Sequence, residues 1–218
     1  MRAKDAAELA FFDVDTQHDF MSPGGALYVR GARTIAPTIR RLVAFAARKG
    51  IRIFSSTDAH TPDDPELQQF APHCIVGTWG QGKIPETLLP SRGVVSTVAR
   101  LSRGQLREIL QHPQVVIEKQ AYDVFTNPNT VPLLRASGAR RFVVFGVATD
   151  YCVRAAVLGL CRQGYKVTVA SDAIRGISRT ATARTLAELR AAGARFKPAR
   201  EIIRMATPPT HRIGGKVS

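Results

Sequence analysis

The stretch "VVFGVATDYCVRAAVLGL", Val143 to Leu160, decides how this chain folds. Apolar and small residues run unbroken to Ala148, Thr149, Asp150 and Tyr151 intervene, and a helical apolar pattern follows Cys152. A short continuous apolar run that gives way to a helical one reads as a buried strand turning into a helix. Working outward, the same alternation recurs. Leu9–Asp15, Ile51–Thr57, Val115–Lys119, Arg141–Val147 and Lys166–Asp172 read as strands, with a short last one expected around Glu201–Met205. The amphipathic stretch Thr34–Gly50 and the segments "NTVPLLRASGA", "CVRAAVLGLCRQG" and "SRTATARTLAELRAAG" supply helices; three of the four helical stretches close on Gly50, Gly164 and Gly193. The pattern predicts an α/β fold of three layers: a six-stranded parallel sheet with helices on both faces. One domain over residues 1–205 is expected, followed by a loose tail over 206–218. The connection from Ala59 to Gln114 is long enough to suggest a functional role.

The chain has 218 residues, 44% of them hydrophobic and 22% charged, which suits one well-cored domain and excludes bulk disorder. No apolar run approaches the roughly 18 residues of a membrane span. The start "MRAKDAAELAFFDVD" lacks the long apolar region of a signal peptide, so a cytoplasmic protein is expected. Three cysteines without zinc-finger spacing fit free thiols in a reducing compartment. The net charge of +14 could attract nucleic acid. The arginines, however, are spread over nearly every helix, and no nucleic-acid motif is present. An Arg-rich solvated surface is the expected reading, with a basic nucleic-acid-binding protein carrying an inactive site as the alternative of a different class.

In an open parallel sheet, ligands bind beyond the carboxyl ends of the strands. Asp15, Asp58 with His60, Lys119, Asp150 with Cys152, and Asp172 fall at five successive strand ends. Cys152 would occupy the first turn of a helix, where free N–H groups and the helix dipole favour a thiolate and can hold an oxyanion. Asp15 could take the thiol proton and Lys119 balance the charges. Cys161, nine residues on, falls on the opposite helix face and reads as structural.

The pieces "VDTQHDFMSPGGALYV", "DAH…FAPHCIVGTWG", "EKQAYDVF" and "GVATDYCVRAA" occur in that order. Together, over about residues 9 to 195, they resemble the isochorismatase-like cysteine hydrolases, and within these the nicotinamidases. The resemblance implies a Rossmann-like sheet of six parallel strands. It implies Asp15 as base, Lys119 as charged partner and Cys152 as nucleophile. It makes Val147–Ala148 a cis peptide whose Ala148 N–H joins that of Cys152 in an oxyanion hole. It further implies one divalent metal ion (Zn, or Mn or Fe) on Asp58, His60 and His73, with Glu66 as the fourth ligand; no organic cofactor is implied. Two imidazoles with carboxylates suit such ions, and an extended i, i+2 pair can turn Asp58 and His60 one way. Cys74 is not a ligand in the resembling motif. Phe20 and Phe70 match ring-sandwiching positions, with Tyr122 and Phe125 as further wall candidates. His18, His112 and His211 have no evident partner. The implied reaction is hydrolysis of a small-molecule amide, nicotinamide to nicotinate and ammonia, in pyridine nucleotide salvage. An amidase of the same superfamily for carbamoyl or ureido substrates is the alternative, and isochorismatase itself is a weaker one. A homo-oligomer is expected.

Overall fold

The computed structural model describes residues 8–97 and 99–206. Seven strands form one all-parallel sheet: β1 (Leu9–Val14), β2 (Arg52–Asp58), β3 (Arg92–Val95), β4 (Gln114–Lys119), β5 (Arg141–Val147), β6 (Lys166–Arg175) and β7 (Arg195–Lys197). Their spatial order is β3-β4-β2-β1-β5-β6-β7. The α-helices among the described residues are α1 (His18–Met21), α2 (Ala36–Lys49), α3 (Arg103–Ile109), α4 (Thr130–Ala136), α5 (Arg154–Arg162), α6 (Arg179–Ala191) and α7 (Ala199–Met205).

The expectation of six strands is corrected to seven, and two local readings account for it. Arg92–Val95 is a four-residue edge strand inside the long connection, with only every second residue buried. The expected strand at Glu201–Met205 is the helix Ala199–Met205, started by Pro198, while the last strand is the three-residue Arg195–Lys197. Five apolar-rich residues satisfy either period, and the proline decides for a helix start. The connection from Ala59 to Gln114 carries β3, α3 and two short 3-10 turns. The proposed tail beyond Ala206, and His211 in it, lie outside the described residues.

β1 is the central strand and all six of its residues are buried. Its alternation divides the core. Phe11 faces a cluster with Phe45 and Phe145, covered by Ile39 and Leu42 of α2. Phe12 faces Phe54 and Phe142 on the other side, covered by Val157 and Leu160 of α5. Cutting Phe12 back to alanine in so dense a cluster costs about 3–5 kcal/mol. Helix α2 carries Pro37 in its first turn and stops at Gly50, whose φ of +61° suits the left-handed cap. Gly146 is required by contact: at φ +123° a Cβ there would lie 2.0 Å from the Val14 carbonyl oxygen.

The chain order reverses at β1, which passes to β2 on one side and pairs with β5 on the other. The carboxyl ends of β1, β2, β4 and β5 therefore meet at one crevice, the place such sheets reserve for ligands.

Candidate active site

Asp15 is the first residue after β1 and sits at φ +45°, a left-handed conformation that costs a non-glycine residue about 1–3 kcal/mol. It is fully buried. Its Oδ1 accepts a 2.6 Å hydrogen bond from Ser56 Oγ. Its Oδ2 lies 2.9 Å from Lys119 Nζ, an ion-pair contact without hydrogen-bond geometry, so that oxygen keeps an unused lone pair. Lys119 ends β4 directly beside Asp58 in the ladder. Its ammonium contacts Asp15, donates to Asp58 Oδ1 and stands 3.8 Å from Cys152 Sγ. Burial opposes the ammonium form, but Asp15, Asp58 and the Cys152 sulfur together outweigh it and raise the Lys119 pKa. The lysine is therefore a fixed cation.

Cys152 lies in a widened helical turn, Thr149–Val153, between β5 and α5. The preceding Val147–Ala148 peptide bond is cis. Burial pushes the Cys152 pKa well above that of a free thiol, and the nearby Lys119 only partly offsets it. The favourable helix start does not win here. Burial thus holds the sulfur toward the protonated thiol form.

Asp58, His60 and His73 form a second buried set whose ligand atoms all lie within 4.8 Å of one another. His73 Nδ1 is 2.8 Å from the Ala71 carbonyl, which fixes the hydrogen there and frees Nε2 toward Asp58 Oδ2 at 3.8 Å. His60 Nε2 is 3.9 Å from the same oxygen, and neither of its ring nitrogens has a properly directed hydrogen bond. Its Nδ1 is 3.0 Å from Asp64 Oδ2. Buried ring nitrogens without hydrogen-bond partners are costly unless something binds them, and a divalent ion fits this donor set. Burial raises the Asp58 pKa to about 7, with Lys119 opposing the shift. Burial also lowers that of His73, so its imidazole is neutral and able to ligate.

Both sets open on one cavity of about 290 Å³. Asp58, His73, Ala148 and Cys152 line it together with Phe20, Leu27, Phe70, Tyr122, Tyr151 and Ile177. Phe20 and Phe70 each turn a ring edge or face to His73, at 5.4 and 6.3 Å between centroids. Glu66 lines the same cavity, half-buried and with its pKa raised by burial, but its carboxylate is outside the tight set of three. Phe125 is not a wall: its ring packs against Gly159 of α5, where a Cβ would fall 2.1 Å from it. Asp172 lies within β6, which runs on to Arg175, and accepts a hydrogen bond from Ala199 N–H. Asp150 accepts from the N–H groups of Ile177 and Ser178 at 3.0 Å each. Those two acids belong to loop architecture. Cys74 is buried, its N–H donating to Asp19 at 2.7 Å, and Cys161 is a free, half-buried thiol. His18 stacks on Trp79 and meets Ser22 Oγ, and His112 meets Ser91 Oγ.

Sequence reasoning missed Ser56, Asp64, Tyr151 and Ile177. Serines and tyrosines carry no periodic signal, and Ile177 is one exposed apolar residue in a loop. Gln17 was visible inside "VDTQHDF" but without a role.

The isochorismatase domain model matches residues 103–200. A nicotinamidase/pyrazinamidase of Mycobacterium tuberculosis is 30% identical over 197 residues, covering 84% of this chain and 95% of that protein. A protein of Arabidopsis thaliana described as a probable inactive nicotinamidase is 27% identical over 165 residues, 75% of this chain and 79% of its own. Among solved structures, the pyrazinamidase of Pyrococcus horikoshii in complex with zinc superposes with a TM-score of 0.71 at 28% identity, over 88% of this chain and 99% of that one. A buried Asp–Lys–Cys set beside an Asp–His–His set is thus a cysteine-hydrolase site with candidate metal ligands, and the chain belongs to the isochorismatase-like cysteine-hydrolase superfamily, with nicotinamidases among its relatives.

Proposed function

We propose that this protein hydrolyses nicotinamide, or a closely similar ring carboxamide, to the acid and ammonia. One observation carries the reading. The Cys152 thiol and the Asp58–His73 edge open on the same small cavity, whose walls are mainly aromatic and aliphatic and whose lining, among the described residues, contains no lysine or arginine. Such a cavity suits a neutral flat ring and offers no partner to the carboxylate of an anionic amide. The relatives named as nicotinamidases support it.

The distances within the site support these steps. Cys152 Sγ attacks the carboxamide carbon while Asp15 takes the thiol proton, using the oxygen that lacks a directed hydrogen bond. Lys119 stays protonated and compensates Asp15 before the transfer and the developing negative charge after it. The Ala148 and Cys152 N–H groups receive the oxyanion. Asp15 returns the proton to the departing nitrogen, the C–N bond breaks, ammonia leaves and a thioester remains. Asp15 then deprotonates a water molecule, whose oxygen attacks the thioester carbon. The C–S bond breaks, the acid leaves, and the proton on Asp15 returns to sulfur. Asp58, His60 and His73 would hold a divalent ion, zinc by analogy with the Pyrococcus horikoshii structure; such an ion supplies a Lewis acid for the ring nitrogen and so orients the ring. Phe20 and Phe70 hold the ring faces.

The test is ammonia release from nicotinamide, benzamide and an N-carbamoyl amino acid. Turnover of nicotinamide that is lost in Cys152→Ala supports the reading. Release from the N-carbamoyl compound alone moves the protein to the ureido amidases, and release from none of them makes the site inactive.

A further inference from the structure

Asp58 is the hinge of the site. One oxygen engages Lys119 and the other faces both histidines, so its placement sets the metal ligands and the catalytic cation at once. Its own backbone is nevertheless abandoned by the sheet on one side. The β1–β2 ladder stops at the pair Asp13–Ser55, because the chain leaves the strand at Asp15. On its other side β2 continues to Asp58, paired with Lys119. The Asp58 N–H and C=O facing β1 would then be buried without partners, a costly situation.

The side chain of Gln17 fills that gap. Its Oε1 accepts from Asp58 N–H at 2.7 Å, and its Nε2 donates to the Asp58 carbonyl at 2.9 Å. The same Nε2 also donates to the Gln81 carbonyl at 2.9 Å. One primary amide thus supplies the donor and acceptor that a neighbouring strand would have supplied, and ties the loop at Gln81 to the same point. Gln17 is fully buried and does not line the active-site cavity. We propose that Gln17 is a positioning residue that acts as a surrogate peptide group, holding Asp58 where it can serve the metal ligands and Lys119 together. This rests on the reading of Asp58, His60 and His73 as a metal site.

The test uses the full chain, Zn²⁺ alone as the probe, and two readouts other than turnover. In Gln17→Glu the carboxylate can accept from Asp58 N–H but cannot donate to either carbonyl; in Gln17→Met all three bonds go at similar volume. Zn²⁺ affinity, measured against a competing chelator, should fall about 10–100-fold in Gln17→Glu, the usual scale for outer-shell partners, and at least as far in Gln17→Met. The rate of Cys152 alkylation by iodoacetamide should change in the same variants without metal, because Asp58 also anchors Lys119. In wild-type protein, whose folding is not in question, the Gln17 side-chain amide resonances should shift on Zn²⁺ addition. Unchanged affinity and alkylation in a folded variant, or amide resonances that ignore the ion, overturn the role of Gln17. Wild-type protein that takes up no divalent ion overturns the metal assignment itself, and this role with it.

Discussion

Two buried aspartate–lysine pairs stand two residues apart at the end of β1, and they are built differently. Asp13 pairs with Lys83 at 3.1 Å and also accepts from Thr16 Oγ1 and Ser55 Oγ, at 2.9 and 3.1 Å. Lys83 in turn donates to the Ser56 carbonyl. Asp15 pairs with Lys119 and accepts from Ser56 Oγ, but one of its oxygens is left without a directed hydrogen bond, facing a cation shared with Asp58 and a thiol. Period two alone would put both acids on one face of the sheet. Ser55 and Ser56, adjacent on β2, point to opposite faces and serve one acid each, and the left-handed turn at Asp15 is what carries the second acid across. The saturated pair ties strand to loop. The unsaturated pair leaves one carboxylate oxygen without a directed hydrogen bond. A buried ion pair is therefore not a functional signal by itself; the informative feature is an atom left over.

Cys152→Ala should break the comparison most completely, taking ammonia release from nicotinamide to background while thermal unfolding stays within a few degrees. Next, exchanging one acid at a time separates the two pairs. Asp15→Asn should lower kcat by at least about a hundredfold, the scale of one acid–base group. Asp13→Asn leaves Lys83 buried and unpaired and should cost about 3–5 kcal/mol in denaturant unfolding, with kcat of the folded protein nearly unchanged. Equal effects on kcat would erase the distinction drawn here. Chelation should then lower activity on nicotinamide more than on benzamide, so that the preference between them narrows; an unchanged ratio under chelation would remove the ion from substrate orientation.

The pH dependence of alkylation sharpens the same contrast. Burial raises the Cys152 pKa well above that of a free thiol, so the folded protein holds the proton where a free thiol has lost it. Its reaction with iodoacetamide, followed by mass spectrometry, should be slow at neutral pH and still climb above about pH 9, where an ordinary thiol with a pKa near 8.5 levels off. A rate that flattens near pH 7 would mean a preformed thiolate. The smallest effect is expected from Cys161→Ala, which removes one half-buried sulfur and should leave kcat and metal content unchanged by direct assay.

The sheet was legible where burial on both faces forces continuous apolar runs, as in "RFVVFGV", whose bounds match the structure. It was not legible at the edges. "RGVV" buries only alternate residues and "RFK" is three residues long, so neither produces a run. The residues at the carboxyl ends of β1, β2, β4 and β5 converge on the crevice as strand-end placement suggests. Asp150 and Asp172 followed the same rule and do not converge, because strand ends also need acids to cap nearby amides. Phe125 could not be told from a wall residue without knowing that Gly159 leaves a hole for it. The burial that opposes a thiolate at Cys152 could not be read from the sequence, because a helix start is visible there and the depth of a side chain is not.

Asp150 has one more consequence. Its two oxygens hold the N–H groups of Ile177 and Ser178, so the turn that carries Cys152 also carries the loop that brings Ile177 to the cavity. Gly176 completes the fastening, since a Cβ there would fall 2.0 Å from Thr182 Oγ1 and 3.0 Å from Asp150 Oδ1. For anyone transplanting this loop between relatives to alter substrate choice, Thr149–Val153 and Gly176–Ser178 form a single exchangeable cassette. A graft of the loop that leaves its carboxylate clasp behind would come unmoored from the wall it was meant to rebuild.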